Sequence, residues 1–499
     1  MRYWLLCLFG CGMLLNTAAQ QATQQRPNII YIYADDLGYG ELGAYGQQKI
    51  RTPHLDRMAA EGMRFTQHYT SMPVCAPARS MLMTGMHAGH AAIRGNYELG
   101  GFADSAERGQ LPLPKTSVTV AEMLQQHGYA TAMIGKWGLG MADTNGSPLQ
   151  HGFDYYYGYL DQKQAHNYYP SHLWENDRWD SLHQPWIDVH KRLNPGTATE
   201  SDFNRYKGQQ YAPALLTQKA LQFIDQHQQQ PFFLYLPYTL PHLSLQAPDS
   251  CVQQYIGQFD EKPYYGQQGY ASTKYPMSTY AAMITYLDAQ VGIVQQHLQQ
   301  LGLDSNTLVI FSSDNGATFH SSVDVAFFNS SAGLRGLKMD LYEGGIRMPM
   351  IARWPGRIAA GSETNHVSAQ YDVFATVADL LRYKKAPKTD GLSFLPTLLG
   401  KGKQATHPFL YFEFVEKTGQ IAVRMGPWKA VKSNIKKNPQ APWELYHLDT
   451  DVNEQHDVAA QHPEIVAKAI AIAKREHQHP AIPVWDFADA ALYPTTTQH

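Results

Sequence analysis

Asn28-Ile29-Ile30-Tyr31-Ile32-Tyr33-Ala34-Asp35-Asp36 decides the fold. Six β-branched, aromatic or amide-bearing residues run without polar alternation, which is the signature of a strand covered on both faces. The run stops at two adjacent carboxylates and a Gly-rich stretch. Thr307-Leu308-Val309-Ile310-Phe311-Ser312 repeats the design and ends in Ser313-Asp314-Asn315-Gly316. Ala130 to Ile134 and Pro231 to Leu236 are two further core strands.

Helical patterns lie between these strands. Val118 to His127 has apolar residues at helical spacing, with Gly128 placed to cap it. Tyr280 to Leu301 carries Met283, Leu287, Val291, Val294 and Leu298 on one stripe, and Val373 to Leu381 is a third helix. Strands alternating with helices predict an α/β fold, a mainly parallel central sheet sandwiched by helices. The stretch from about 150 to 215 is rich in Tyr, Trp, His and Asn without periodicity and reads as long recognition loops. Beyond about 385 the pattern changes to short strands at Phe409 to Phe414, Ile421 to Met425, Trp428 to Lys432 and Glu444 to Leu448, then a helix from Pro463 to His477. This predicts a catalytic domain over 26–384 and a smaller C-terminal α+β domain over 385–499, built on an antiparallel sheet.

With 499 residues, 44% of them hydrophobic, the chain has ample material for a large core. A formal charge of -3 offers no basic excess for nucleic acid or an anionic membrane. Arg2, the apolar stretch Tyr3 to Leu15 and Thr17-Ala18-Ala19 read as a signal peptide over 1–19, so the mature chain is expected in the periplasm or outside the cell. Leu8-Phe9-Gly10-Cys11 also fits a lipoprotein box, ranked lower because apolar residues continue past Cys11. No other run is long and apolar enough to be transmembrane. Outside the signal only Cys75 and Cys251 remain, and spacing leaves a disulfide between them open.

The carboxylates carry the chemistry. In open α/β sheets ligands sit at the carboxyl ends of strands, so Asp35, Asp36, Asp314 and Asn315 are expected in one crevice. Three carboxylates and an amide oxygen suit a hard cation, Ca2+ or Mg2+. Cys75, in Cys75-Ala76-Pro77-Ala78-Arg79-Ser80, is a soft ligand beside a hard site. Either it is a structural thiol or it does not remain a thiol. Arg79 would share its helix face if a helix starts near Pro77.

Several stretches together resemble the sulfatase family of the alkaline-phosphatase-like superfamily. Pro27 to Ile30 with Asp35-Asp36-Leu37-Gly38-Tyr39-Gly40 resembles its opening strand and metal pair. Cys75 to Ser80, with Leu82 and Thr84-Gly85, resembles its first signature, and Gly135-Lys136-Trp137-Gly138-Leu139-Gly140 its second. Leu240-Pro241-His242, Ser313 to Gly316 and Gly336-Leu337-Lys338 complete the set, which spans roughly residues 27 to 480.

The resemblance implies conversion of Cys75 to formylglycine by a maturation enzyme, and hydrolysis of sulfate esters by the hydrated aldehyde. It implies Asp35, Asp36, Asp314 and Asn315, with residue 75, as ligands of Ca2+, ahead of Mg2+. It gives Arg79 the task of steadying residue 75. Lys136 and Lys338 would hold sulfate oxygens, and His242 would bind sulfate or protonate the leaving oxygen. The chain departs from the pattern at Gly138, where many members carry a histidine that assists sulfate release. His87 and His90 are the nearest replacements in sequence. Export and the aromatic-rich loops fit a sulfated carbohydrate, attacked in exo fashion at a hexose such as galactose or N-acetylgalactosamine. His87, His90, Arg94, Asn96 and His166 are the candidate substrate contacts. Two other functions stay open: a phosphate or phosphonate monoester hydrolase, and a glycan-binding homologue that has lost turnover.

Overall fold

A computed structural model describes residues 26–100, 107–320 and 322–493. The signal sequence and its lipoprotein alternative lie outside these residues. The strands are β1 (Asn28–Asp35), β2 (Met63–Tyr69), β3 (Ala130–Lys136), β4 (Tyr155–Tyr159), β5 (His172–Glu175), β6 (Arg178–Ser181), β7 (Phe232–Pro241), β8 (Thr307–Ser313), β9 (Arg347–Arg353), β10 (Ser362–Thr364) and β11 (Ser368–Ala369) in the main sheet. A second sheet holds β12 (Leu410–Phe414), β13 (Gln420–Met425), β14 (Trp428–Lys432) and β15 (Glu444–His447), all antiparallel in chain order.

The main sheet runs β10-β2-β9-β8-β1-β7-β3-β4-β5-β6, with β11 extending β2. Its centre, β8-β1-β7-β3-β4, is parallel throughout. Antiparallel pairing enters at β9 on one side and at β5 and β6 on the other. The four strands expected from apolar runs are the contiguous set β8-β1-β7-β3. Every residue of each is buried, as two covered faces require.

Successive side chains of β1 serve opposite layers. Ile30, Ile32 and Ala34 pack with Leu55, Leu216, Met283 and Leu287, from helices Pro53–Glu61, Ala212–Gln226 and Pro276–Gln300. Ile29, Tyr31 and Tyr33 pack with Leu82, Met123, Phe374 and Val377 on the other face. That second core continues into Tyr411, Ile421 and Val423 of the small sheet, so the two sheets share one apolar layer.

The helix expected over Tyr280 to Leu301 begins earlier, at Pro276, because a proline costs nothing in a first turn that has no partner for its N–H. Helix Val120–Gln126 is entered through a reciprocal capping box between Thr119 and Glu122. One expectation needs correction. The stretch from 150 to 215 contains β4, β5 and β6, which widen the main sheet. Its Tyr and Trp residues favour strands as strongly as they favour recognition loops. Cys75 and Cys251 are both free thiols. Among the described residues, no helix is long and apolar enough to cross a membrane.

Candidate active site

Four neighbouring strands deliver polar side chains to one edge of the sheet. β1 ends in Asp35, with Asp36 next; β8 is followed by Asp314 and Asn315; β3 ends in Lys136; β7 is followed by His242. Parallel direction puts all four carboxyl ends on the same side, which is why residues from 35 to 315 meet there. Asp35, Asp36, Asp314 and Asn315 are at most 1% exposed.

Hydrogen bonds lock the carboxylates together. The Asp36 amide donates to Asp314 Oδ1 at 3.0 Å, and Asn315 Nδ2 donates to Asp36 Oδ1 at 2.7 Å. Asp36 itself is left-handed, at φ 65°, a conformation that costs an aspartate energy and is held by these contacts.

Cys75 is the first residue of helix Cys75–Thr84, two residues earlier than a start at Pro77 would give. Its Sγ lies 3.6 Å from Asp35 Oδ1 and 3.6 Å from Lys338 Nζ. The helix points its N-terminus, the positive end of its dipole, into the cluster. One turn on, Arg79 donates from Nη2 to Asp314 Oδ2 at 2.9 Å and from Nη1 to the Lys136 carbonyl at 2.7 Å. Lys136 Nζ lies 2.7 Å from Asp35 Oδ2, and Lys338 Nζ lies 2.8 Å from Asp36 Oδ1. His242 gives its Nδ1 to the Leu243 carbonyl, which leaves Nε2 facing Asp36 Oδ2 at 3.6 Å.

These charges set one another. Burial works against the Asp35 charge, but Lys136, His242, Arg79 and Lys338 outweigh it and hold the carboxyl well below its usual range. Burial, with Asp35 beside it, pushes Asp314 up. Burial pushes the Cys75 thiol up to about 12 despite Lys136 and Lys338, so the pocket does not favour a thiolate. Burial brings His242 down to about 4, against the pull of Asp36.

The donor set fits a hard divalent cation. Asp35, Asp36, Cys75 and His242 present ligand atoms within 4.8 Å of one another. Asn315 Oδ1 is buried with no hydrogen-bond partner, an acceptor whose burial costs about 1–3 kcal/mol unless something occupies it. Arg79, Lys136 and Lys338 balance the three aspartates, so a divalent ion would leave the pocket cationic and ready for an anion.

The remaining expected residues divide. Asn96 lies beside Cys75: its Oδ1 accepts from the Ala76 amide at 3.1 Å. His166 stacks on His242, with ring centroids 5.1 Å apart. His87, His90 and Arg94 are not brought to the cluster. They follow a ten-residue helix that carries the chain about 15 Å away from Cys75. His87 pairs with Glu476 at 3.1 Å and His90 with Asp390 at 2.9 Å. Arg94 is spent on the Ala91, Gly89 and Gln478 carbonyls. The expectation that these three contact substrate, or that a histidine among them replaces the one absent at Gly138, is therefore corrected.

Gly138 instead faces Gln162. A Cβ at position 138 would lie 2.7 Å from Gln162 Cγ, and Gln162 Nε2 donates to Asn96 Oδ1 at 3.2 Å. Sequence reasoning also missed a wall of rings beside His242. His190 and Tyr270 lie 5.4 Å and 5.2 Å from His166, and His320 lies 5.0 Å from Tyr270. They come from three separate loops, and only the aromatic-rich composition hinted at them.

A parallel sheet whose strand ends gather carboxylates around a helix-borne cysteine, with lysines close by, defines an ester hydrolase of the alkaline-phosphatase-like type. The Sulfatase family matches residues 27–383, and the family described as N-sulphoglucosamine sulphohydrolase, C-terminal, matches residues 337–476. The chain belongs to the sulfatase family, and so to the sulfuric ester hydrolases. It is 34% identical to an N-acetylgalactosamine-6-sulfatase of Mus musculus over 85% of this chain and 75% of that one. An N-acetylgalactosamine-6-O-sulfatase of Bacteroides thetaiotaomicron is 29% identical over 91% of this chain and 95% of its own length. Among solved structures, Ps i-CgsB in complex with k-i-k-neocarrahexaose is similar with a TM-score of 0.73 and 26% identity, over 92% of this chain and 94% of that one.

Proposed function

We propose that this protein is exported and hydrolyses sulfate esters of a carbohydrate, in exo fashion at a hexose, with 6-O-sulfated N-acetylgalactosamine first among candidates and galactose second. Residue 75 acts as formylglycine, made from Cys75 by a maturation enzyme, and Asp35, Asp36, Asp314 and Asn315 hold Ca2+. The observation that carries the reading is Cys75 itself: a thiol kept protonated by burial, set 3.6 Å from both Asp35 and Lys338 at a helix N-terminus. Conversion to a hydrated aldehyde replaces a soft, inert ligand by hard oxygens. The substrate class is supported by the names of the two N-acetylgalactosamine sulfatases and by the bound neocarrahexaose of the structural neighbour.

When bound, Ca2+ supplies Lewis-acid polarisation of the sulfate oxygens and lowers the pKa of an adjacent hydroxyl. The hydrated aldehyde supplies two hydroxyls on one carbon, one to attack sulfur and one to expel sulfate. The protein does the rest. Arg79 fixes the helix turn that presents residue 75, through Asp314 and the Lys136 carbonyl. Lys136 and Lys338, on either side of it, meet the negative charge that builds on the sulfuryl oxygens. His242 Nε2 faces the same space; the charge of the bound sulfate ester favours the imidazolium, which then delivers the Nε2 proton to the departing alcohol oxygen. His166, His190 and Tyr270 form the wall against which the sugar lies.

Sulfate release from a panel of defined sulfated mono- and disaccharides, run beside the matching phosphate esters, tests this. Release from 6-O-sulfated N-acetylgalactosamine or galactose, abolished by Cys75→Ser in a host that does not modify serine, is expected. Faster turnover of phosphate, or no release from any sulfated sugar, overturns it.

A further inference from the structure

A second group of metal-type ligands lies beyond helix Pro463–Glu476, apart from the aspartates of the main sheet. His477, His479, Asp486 and Asp489 each place a ligand atom within 4.8 Å of the others. His477 is 8% exposed, and its Nε2 is buried without a hydrogen-bond partner. Asp489 Oδ1 is likewise buried and unpartnered, although the two atoms are 3.2 Å apart. A protonated histidine donating to that carboxylate would use the contact. Two acceptors aimed at a common point would not.

Two of the three other separations match a shared centre, and the third is a hydrogen bond that a shared ion would replace. His477 Nε2 to Asp486 Oδ1 is 3.6 Å, His479 Nδ1 to Asp486 Oδ2 is 2.9 Å, and His479 Nδ1 to Asp489 Oδ2 is 3.6 Å. Zinc bonds of about 2.0–2.2 Å in a tetrahedron give ligand-to-ligand edges of roughly 3.3–3.6 Å. The far side of the His477 ring completes the pattern. Glu413, 1% exposed, accepts from Nδ1 at 2.8 Å, and a ring so backed offers Nε2 to an ion in exchange for the second proton that Glu413 and Asp489 otherwise favour.

We infer that His477, His479, Asp486 and Asp489 form a structural Zn2+ site that pins the C-terminal segment to the enzyme. Two imidazoles and two carboxylates suit zinc and not calcium, which takes oxygen alone. The site has a reason to exist where it does. Gln478, between the two histidines, accepts from Arg94 Nη1 at 2.6 Å through its carbonyl. Trp485, in the pinned segment, stacks edge-on against Tyr97 at 6.1 Å. Those contacts hold the loop that presents Asn96 to the Ala76 amide beside the nucleophile. Zinc at the tail therefore steadies a loop of the sulfatase site without touching substrate.

Zinc binding to the full chain, first stripped with chelator and then held in saturating Ca2+, tests the inference. One equivalent of Zn2+ is expected, with a rise in melting temperature and the visible bands of tetrahedral Co2+ on cobalt substitution. His479→Ala and Asp486→Asn change exposed residues and leave the fold intact, and each should weaken zinc binding at least tenfold. Absence of a zinc equivalent in the unaltered chain overturns the site. So does undiminished binding in both variants.

Discussion

Arg79 and Asp314 form a fully enclosed ion pair, Nη2 to Oδ2 at 2.9 Å, that ties helix Cys75–Thr84 to the end of β8. The other arm of the guanidinium reaches the end of β3. A lysine cannot span both. Removing the cation leaves a buried carboxylate unpaired, which costs about 3–5 kcal/mol. Arg79→Met should lower the denaturant midpoint accordingly, and Arg79→Lys should recover less than half of the loss. Unchanged midpoints would show that the pair is not structural.

Asp314→Asn keeps the volume and an acceptor for the Asp36 amide, and removes a charge. Metal affinity should fall at least tenfold, and activity with it, while the circular dichroism spectrum is retained. Metal content by mass spectrometry reads the first effect. Full metal and full activity together would remove Asp314 from the ligand set.

His242→Ala should slow esters with poor leaving groups by about 10²–10⁴ and good ones far less, because a strong leaving group needs no proton. The measurement is the dependence of kcat on leaving-group pKa in both enzymes. Equal slopes would leave His242 no role as acid.

Gly138 has φ +74°, and any side chain there meets Gln162. Gly138→His should cost about 1–3 kcal/mol. Gln162→Ala, which empties that space, should return part of the cost in the double variant. Strict additivity in a double-mutant cycle would mean the two residues do not compete.

Asp288 gives a pH signature away from the site. It accepts from Leu55 and His54 amides at the start of helix Pro53–Glu61. Burial raises its pKa from 3.8 to about 7 despite those bonds, with Asp56 adding to the rise. The folded state therefore holds this proton more tightly than the unfolded chain. Its contribution is full below pH 4 and is lost as pH climbs through about 7. Asp288→Asn, which keeps an acceptor, should flatten the decline of stability between pH 4 and 7. An identical pH slope in urea melts of both proteins would refute the assignment.

The centre of the sheet was legible because β8, β1, β7 and β3 are covered on both faces and so read as unbroken apolar runs. Strands at its flanks were harder. β9 contains Pro349, β2 mixes buried and half-buried positions, β4 is tyrosine around one glycine, and β5 and β6 are only four residues long with a single tryptophan each. The aspartates were legible because strand ends concentrate ligands. The fate of His87, His90 and Arg94 was not, because distance along a helix is invisible in a motif: beyond Gly85, where the helix ends, they belong to Glu476, Asp390 and the Gln478 carbonyl. Gln162 escaped notice for the converse reason, being 24 positions from Gly138 yet against it in space.

The parallel order of the central strands also has a consequence in time. Asp36 and Asp314 are 278 positions apart, and Lys338 lies 302 from the aspartate it pairs with. During synthesis the first carboxylates and the cysteine emerge long before their partners, and no early fragment can assemble the carboxylate crevice. A chain cut short before residue 338 would carry Cys75 and Asp35 in full and still be inert. Ion uptake at the proposed site would thereby report that β1 and β8 have paired.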